Sequence, residues 1–97
     1  MRTGRRARHA LLTLVARRTD GPTARIGFAV SRRVGGSVVR NRLKRQLRMV
    51  MRAHTWQPGF DIVVIPQGSC ASARFDEIQQ AIKRTATSMH LLIDEGA

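Results

Sequence analysis

The chain has 97 residues, enough for one domain with a single modest core and too short for separate catalytic and binding domains. Its formal net charge is +12, unevenly spread: residues 1–52 hold fifteen Lys/Arg against one acid, a local +14, and residues 53–97 hold three against five, a local −2. That asymmetry exceeds what solubility needs and calls for a polyanionic partner: nucleic acid, an anionic membrane surface or an acidic protein. Sixteen of the eighteen cations are arginine, whose planar fork suits phosphate, although a GC-rich genome favours the same residue.

Cys70 is the sole cysteine, so no internal disulfide can form. His9, His54 and His90 lie far apart in sequence, and no metal-ligating set is assigned. GRRARHALLTLVA has a superficial likeness to a twin-arginine export signal. Its apolar core, LLTLVA, is too short and runs directly into Arg17 and Arg18, so a cytoplasmic location is expected. No run approaches a membrane span, and no membrane partner is expected.

Residues 1–8 are basic, carry no hydrophobic period and are expected to be disordered. From Ala10 to Ala16 the density of aliphatic and β-branched residues predicts a strand. TDGPT (19–23) is a turn, and ARIGFAVS (24–31) reads as a second strand, with a hairpin between the two as the simplest topology. Gly35 and Gly36 break the chain, Ser37 is a plausible N-cap, and a helix is predicted from there to about His54. FDIVVIP (60–66) reads as a strand buried on both faces, and GSCAS (68–72) as a loop. A second helix is predicted from about Arg74 to Ile93, with Phe75, Ile78, Ile82, Ala86, Met89 and Ile93 on one face. The fold class is therefore α+β, a small single domain in which a sheet of three to four strands is packed by an arginine-rich helix and a C-terminal helix.

The first helix holds the chemistry. At 100° per residue Val39, Leu43, Leu47 and Val50 form the buried stripe. Asn41, Lys44, Arg45, Arg48 and Arg52 lie opposite, with Arg40 and Arg42 flanking the stripe. Arg40, Lys44, Arg48 and Arg52 follow one another at four-residue spacing, and like charges so placed cost roughly 0.2–0.5 kcal/mol per pair. No acid occurs between Asp20 and Asp61 to offset them, so the face is read as a polyanion grip rather than a solvated surface. Asn41 can contact a base edge or ribose hydroxyl, or equally bond the local backbone. Arg32 and Arg33 lead into the helix and extend the cationic set; Gly35–Gly36 is read as a sharp turn into the helix in preference to a phosphate cradle.

Aromatics are few. Phe60 and Phe75 look like core, Trp56 like loop packing, and Phe28 can face either way, so base stacking is not the main mode. Asp76 and Glu77 suit a helix N-terminus, Asp61 is placed to pair with an arginine, and Cys70 has no histidine partner. No catalytic residue is assigned, and no small-molecule substrate is expected.

The stretch IGFAVSRRVGGSVVRNRLKRQLR (26–48) resembles the bacterial ribonuclease P protein component: a strand ending in Ser and two cations, a Gly, then Arg-Asn-Arg, a spacer and Lys-Arg. FDIVVI with the helix after it, and GRRAR near the start, are similar to other parts of that family. The resemblance implies a single RNA-binding domain over residues 1–97, the small subunit of a ribonucleoprotein endoribonuclease that removes the 5′ leader of precursor tRNA. Its partners would be a catalytic RNA and the precursor tRNA. Magnesium would act on the RNA, and the protein alone would bind no cofactor. Arg40, Asn41, Arg42, Lys44, Arg45 and Arg48 match the RNA-binding helix. Phe28, Val30 and Ser31 match a strand lining the leader cleft, with Arg32 or Arg33 nearby. It also implies a left-handed strand–helix–strand crossover, where general rules favour the right-handed one.

Two departures stand out. The family's upstream helix, which carries aromatic residues of the leader cleft, is expected to be absent here. Gln67 stands where the family usually places a basic residue. Two other functions account for the charge: a structural RNA-binding protein of the ribosome or another ribonucleoprotein, and a DNA-binding domain. The first does not explain the spacing of the Arg-Asn-Arg motif, and the second normally brings a helix-turn-helix or dimer device.

Overall fold

A computed structural model describes residues 4–93. The elements in order are β1 (Arg5–Arg8), β2 (Leu12–Arg18), β3 (Ala24–Phe28), α1 (Ser37–Arg52), β4 (Phe60–Pro66) and α2 (Phe75–Ser88), with short 3-10 turns at Arg32–Val34 and Gly68–Ser72. The four strands form one mixed sheet in the order β1-β2-β4-β3. β4 pairs antiparallel with β2 and parallel with β3. Parallel neighbours need a long crossover, and α1 supplies it between β3 and β4.

Period-2 alternation sorts the strand residues between two faces. Leu12, Leu14 and Ala16 of β2 and Ile62 and Val64 of β4 are buried under the helices, with Ala7 of β1 and Ile26 and Phe28 of β3 packed beside them. α1 contributes Leu43, Leu47, Val50 and Met51, and α2 contributes Ile78, Ala81, Ile82, Thr85 and Ala86. Both helices thus cover one face of the sheet. The other face carries Thr13, Val15, Val63 and Ile65 with the side chains of Arg6, Arg8, Arg17, Arg25 and Asp61, as the cross-strand register requires.

Several expectations are corrected. Arg5–Arg8 is ordered as an edge strand, because its backbone pairs with β2 whatever its side chains are; residues 1–3 of the segment expected to be disordered lie outside the described residues. β2 and β3 do not form a hairpin: β4 is inserted between them, since its two apolar faces find better cover at the centre. β4 itself is fully buried on one face only; Val63 and Ile65 are half-buried on the other. β3 stops at Phe28, leaving Val30 and Ser31 outside the strand, and GSCAS winds into a 3-10 turn.

Helix termini follow local chemistry. Glu77 Oε1 accepts a 2.8 Å bond from the Arg74 backbone N–H, and Asp76 and Glu77 lie in the first turn, where the helix dipole favours them. α2 ends at Ser88, short of the expected Ile93, because His90 takes a left-handed φ of 56° and the Leu91 N–H reaches back to the Ala86 carbonyl at 3.0 Å. The chain then returns, and Ile93 N–H bonds to the Thr55 carbonyl at 2.9 Å. Trp56 packs its loop as expected, donating its indole N–H to the Met51 carbonyl at 2.7 Å. Gly59, at φ 82°, exchanges backbone bonds with Thr19 and Thr23 and so pins the TDGPT turn to the start of β4.

Three outcomes follow for stability and reactivity. Leu47→Ala, at a fully buried position, is expected to cost about 2–5 kcal/mol in urea denaturation. Gly35 has φ 155°, and a Cβ there would lie 2.9 Å from Val39 Cβ; Gly35→Ala is expected to cost about 1–3 kcal/mol by the same measurement. Burial pushes the Cys70 thiol up to about 11, so thiol-reagent labelling at neutral pH is expected to be far slower in the folded protein than in urea.

Candidate nucleic-acid interface

α1 is held by its apolar stripe, and the rest of its circumference faces outward. Asn41, Arg42, Arg45, Arg48 and Arg52 are exposed, and Arg40 and Lys44 are half-buried. The expected stripe is present, with Met51 added to it and Val39 partly buried. Gly35 and Gly36 set the angle at which the helix starts, and Gly36 rather than Ser37 is the N-cap.

The two arginines of the Arg-Asn-Arg motif are each tied to the protein's own backbone. Arg40 donates Nε–H to the Gly35 carbonyl at 3.2 Å, and Arg42 donates an Nη2 hydrogen to the Ala71 carbonyl at 2.9 Å. Each guanidinium carries five donors, so most remain available while the group is held in place. Asn41 sits exposed between them, and its side chain makes no hydrogen bond among the described residues. Of its two sequence readings, the local backbone bond is therefore absent. Arg40, Arg42, Lys44, Arg45, Arg48 and Arg52 form no ion pair among the described residues. Arg32 and Arg33 are exposed on the 3-10 turn just before the helix, which lies against the turn Gly68–Ser72.

A groove of about 360 Å³ runs between the helix-facing side of β3 and the end of α1. Ala24, Ile26 and Phe28 form its β3 wall, and Arg48, Met51 and Arg52 its helical wall; His54 and Trp56 close one end. The Arg48 guanidinium lies 5.7 Å from the centre of the Phe28 ring, a cation–π distance. His54 and Trp56 stand edge to face at 6.1 Å. Phe28 lines this groove, and Val30 and Ser31 do not. His54 and Trp56 carry no local signal of this role; they reach the groove because the chain after α1 folds back beside β3.

Asp61 is the first acid after α1 in sequence, and it is already engaged on the opposite face of the sheet. Arg25 bonds it at 2.9 and 3.0 Å and Arg17 lies 3.5 Å away. The Arg25 hydrogen bonds, chiefly, hold its carboxyl below the usual range and raise the Arg25 guanidinium in turn. Among the described residues no three His, Cys, Asp or Glu side chains gather as a metal site, and no helix is long and apolar enough to cross a membrane.

Comparison with known proteins agrees with this geometry. Residues 1–90 match the model of the family described as Ribonuclease P. The ribonuclease P protein component of Symbiobacterium thermophilum is 36% identical over 93 residues, covering 93% of this chain and 80% of that protein. That of Alkaliphilus oremlandii is 37% identical over 70 residues, covering 70% of this chain. The matched part spans 61% of the Alkaliphilus protein and 63% of its Caulobacter vibrioides counterpart. Among solved structures, the Thermotoga maritima ribonuclease P protein superposes with a TM-score of 0.76 at 26% identity, over 84% of this chain and 79% of that one. The Staphylococcus aureus protein has the same fold, with a TM-score of 0.82 at 20% identity, over 93% of this chain and 84% of that one. A mixed four-stranded sheet crossed by an arginine-rich helix, together with the family match along nearly the whole length, places the chain in the ribonuclease P protein family.

Proposed function

We propose that this protein is the small subunit of a ribonucleoprotein endoribonuclease, binding a catalytic ribonuclease P RNA and assisting removal of the 5′ leader from precursor tRNA in the cytoplasm. One observation carries the reading: Asn41 is exposed with a free amide between two arginines held by the protein's own carbonyls. Fixed cations supply phosphate contacts, and a free amide supplies a contact to ribose or base. Lys44, Arg45, Arg48 and Arg52 continue the same face, and Arg32 and Arg33 extend it at the helix start.

The protein's part in this scheme is positional. It neutralises phosphate, orders RNA and leaves hydrolysis to the RNA, whose magnesium ions supply the chemistry. The groove beside Phe28 is the place for the leader: one ring for a base to stack on, with Arg48 and Arg52 at hand for phosphate.

The first test is cleavage of a precursor tRNA by the same bacterium's catalytic RNA at low magnesium, with and without the protein. Stimulation is expected, and is expected to vanish when Arg40, Asn41 and Arg42 are replaced by alanine together. Absence of stimulation by the wild-type chain would favour a structural RNA-binding role. Asn41→Ala alone removes no bond within the protein, so it is expected to weaken RNA binding while leaving the urea midpoint unchanged. Phe28→Leu keeps the apolar packing but removes the ring. It is expected to reduce the preference for leader-bearing over leaderless tRNA by about 1–3 kcal/mol, read from binding to the assembled holoenzyme.

A further inference from the structure

α1 carries two methionines with opposite fates. Met51 is 2% exposed in the core, whereas Met49 is 58% exposed on the cationic side of the same helix. We infer that Met49 is the apolar surface of a site for one unpaired nucleobase of the bound RNA, set among arginines that hold the adjoining phosphates. The inference deepens the proposed function, which takes this face as a phosphate grip, and rests on that reading for the identity of the polyanion.

Helical spacing makes the site. Arg45 precedes Met49 by four residues and Arg52 follows it by three, so both stand beside it on the helix surface. With Arg48 and Met49 itself they line a hollow of about 310 Å³. Arg45 and Arg52 make no ion pair or side-chain hydrogen bond among the described residues, so their donors are free for a ligand. Arg48 is turned toward the Phe28 ring, 5.7 Å from its centre, and Arg48 and Arg52 also line the groove there. The hollow at Met49 is thus the other side of the same arginine rim. A single exposed apolar side chain is ordinary on any protein; what sets Met49 apart is the guanidinium groups around it.

The chemistry of the lining selects the ligand. Phosphate is served by the arginines alone and gains nothing from a thioether. A nucleobase is served by both: the polarizable sulfur packs against an aromatic ring, and a guanidinium plane stacks on one. Bases inside a duplex are covered by their neighbours, and the major groove of an RNA helix is too narrow for side chains to read, so the base must be unpaired. α1 then meets its RNA at a loop, bulge or junction rather than along a plain duplex. Methionine is unbranched, with three rotatable bonds, and adapts to a purine or a pyrimidine. The site therefore selects an unstacked base rather than one base over another.

The test is binding of the full chain to the bacterium's ribonuclease P RNA over a range of salt, for the wild type, Met49→Ala, Met49→Leu and Arg45→Gln/Arg52→Gln. Met49→Ala is expected to weaken binding about two- to twelve-fold with the log–log salt slope unchanged, because no charge is lost. Met49→Leu is expected to recover most of that loss, and neither change to move the urea midpoint. Arg45→Gln/Arg52→Gln is expected to lower the slope by about 1.4–1.8. A photocrosslinking residue in place of Met49 then locates the nucleotide. Making that nucleotide abasic is expected to weaken binding of the wild type and to leave Met49→Ala unaffected, the mark of a direct contact. No crosslink, crosslinks confined to paired nucleotides, or an equal abasic loss in both proteins overturns the site. Met49→Ala binding like the wild type beside a lowered arginine slope also overturns it and leaves the proposed function standing. An unchanged slope for Arg45→Gln/Arg52→Gln means that the RNA reading itself fails, and the site with it.

Discussion

The parallel pairing of β3 with β4 is the constraint on which the rest of the molecule depends. Two parallel neighbours cannot be joined by a tight turn, so a helix must travel from the end of one strand to the start of the other. That helix is α1, and its length and position follow from the crossover. The cationic surface, the groove beside Phe28 and the docking of α2 all refer back to it. Because β4 also pairs with β2, the strand that receives the crossover lies inside the sheet, and α1 stands on a well-supported base.

α1 shows two opposed demands met by one sequence. Its stripe of Leu43, Leu47, Val50 and Met51 ties it to the core. Its outer surface repels itself and has no acid to relieve it. Burial of several large aliphatic side chains at about 1.5–3 kcal/mol each outweighs a few like-charge pairs of a few tenths each, so the free helix holds. A phosphate bound on that face would remove the repulsion that remains, which would add to the driving force for binding. The backbone bonds of Arg40 and Arg42 reduce the conformational freedom left to lose at that step.

What could be read from the sequence divides along a physical line. α1, β4 and the face of α2 are legible because each carries a strong local period, 3.6 or 2. β1 is not: three arginines in four residues show no pattern, and only pairing with β2 makes the segment a strand. The β2–β3 hairpin was the simplest local arrangement, but the insertion of β4 between them is a long-range choice. His90 ends α2 by its backbone conformation, which no apolar period reports. The cationic face was visible because it lies on one helix. The groove was not, because β3, α1 and the loop at His54 and Trp56 meet only in three dimensions.

The arginines of β1 have one more consequence. β1 is an outer strand with an unpaired row of backbone groups, the kind of edge along which sheets of different molecules join. Arg5, Arg6 and Arg8 make two such edges repel each other, and Arg5 is also anchored to the Met89 carbonyl at 3.2 Å. The same residues that add to the positive charge of this strand act as gatekeepers against edge-to-edge self-assembly. Substitutions that neutralise them trade colloidal stability as well as charge, and excess polyanion that titrates them without burying the edge lowers the barrier to aggregation.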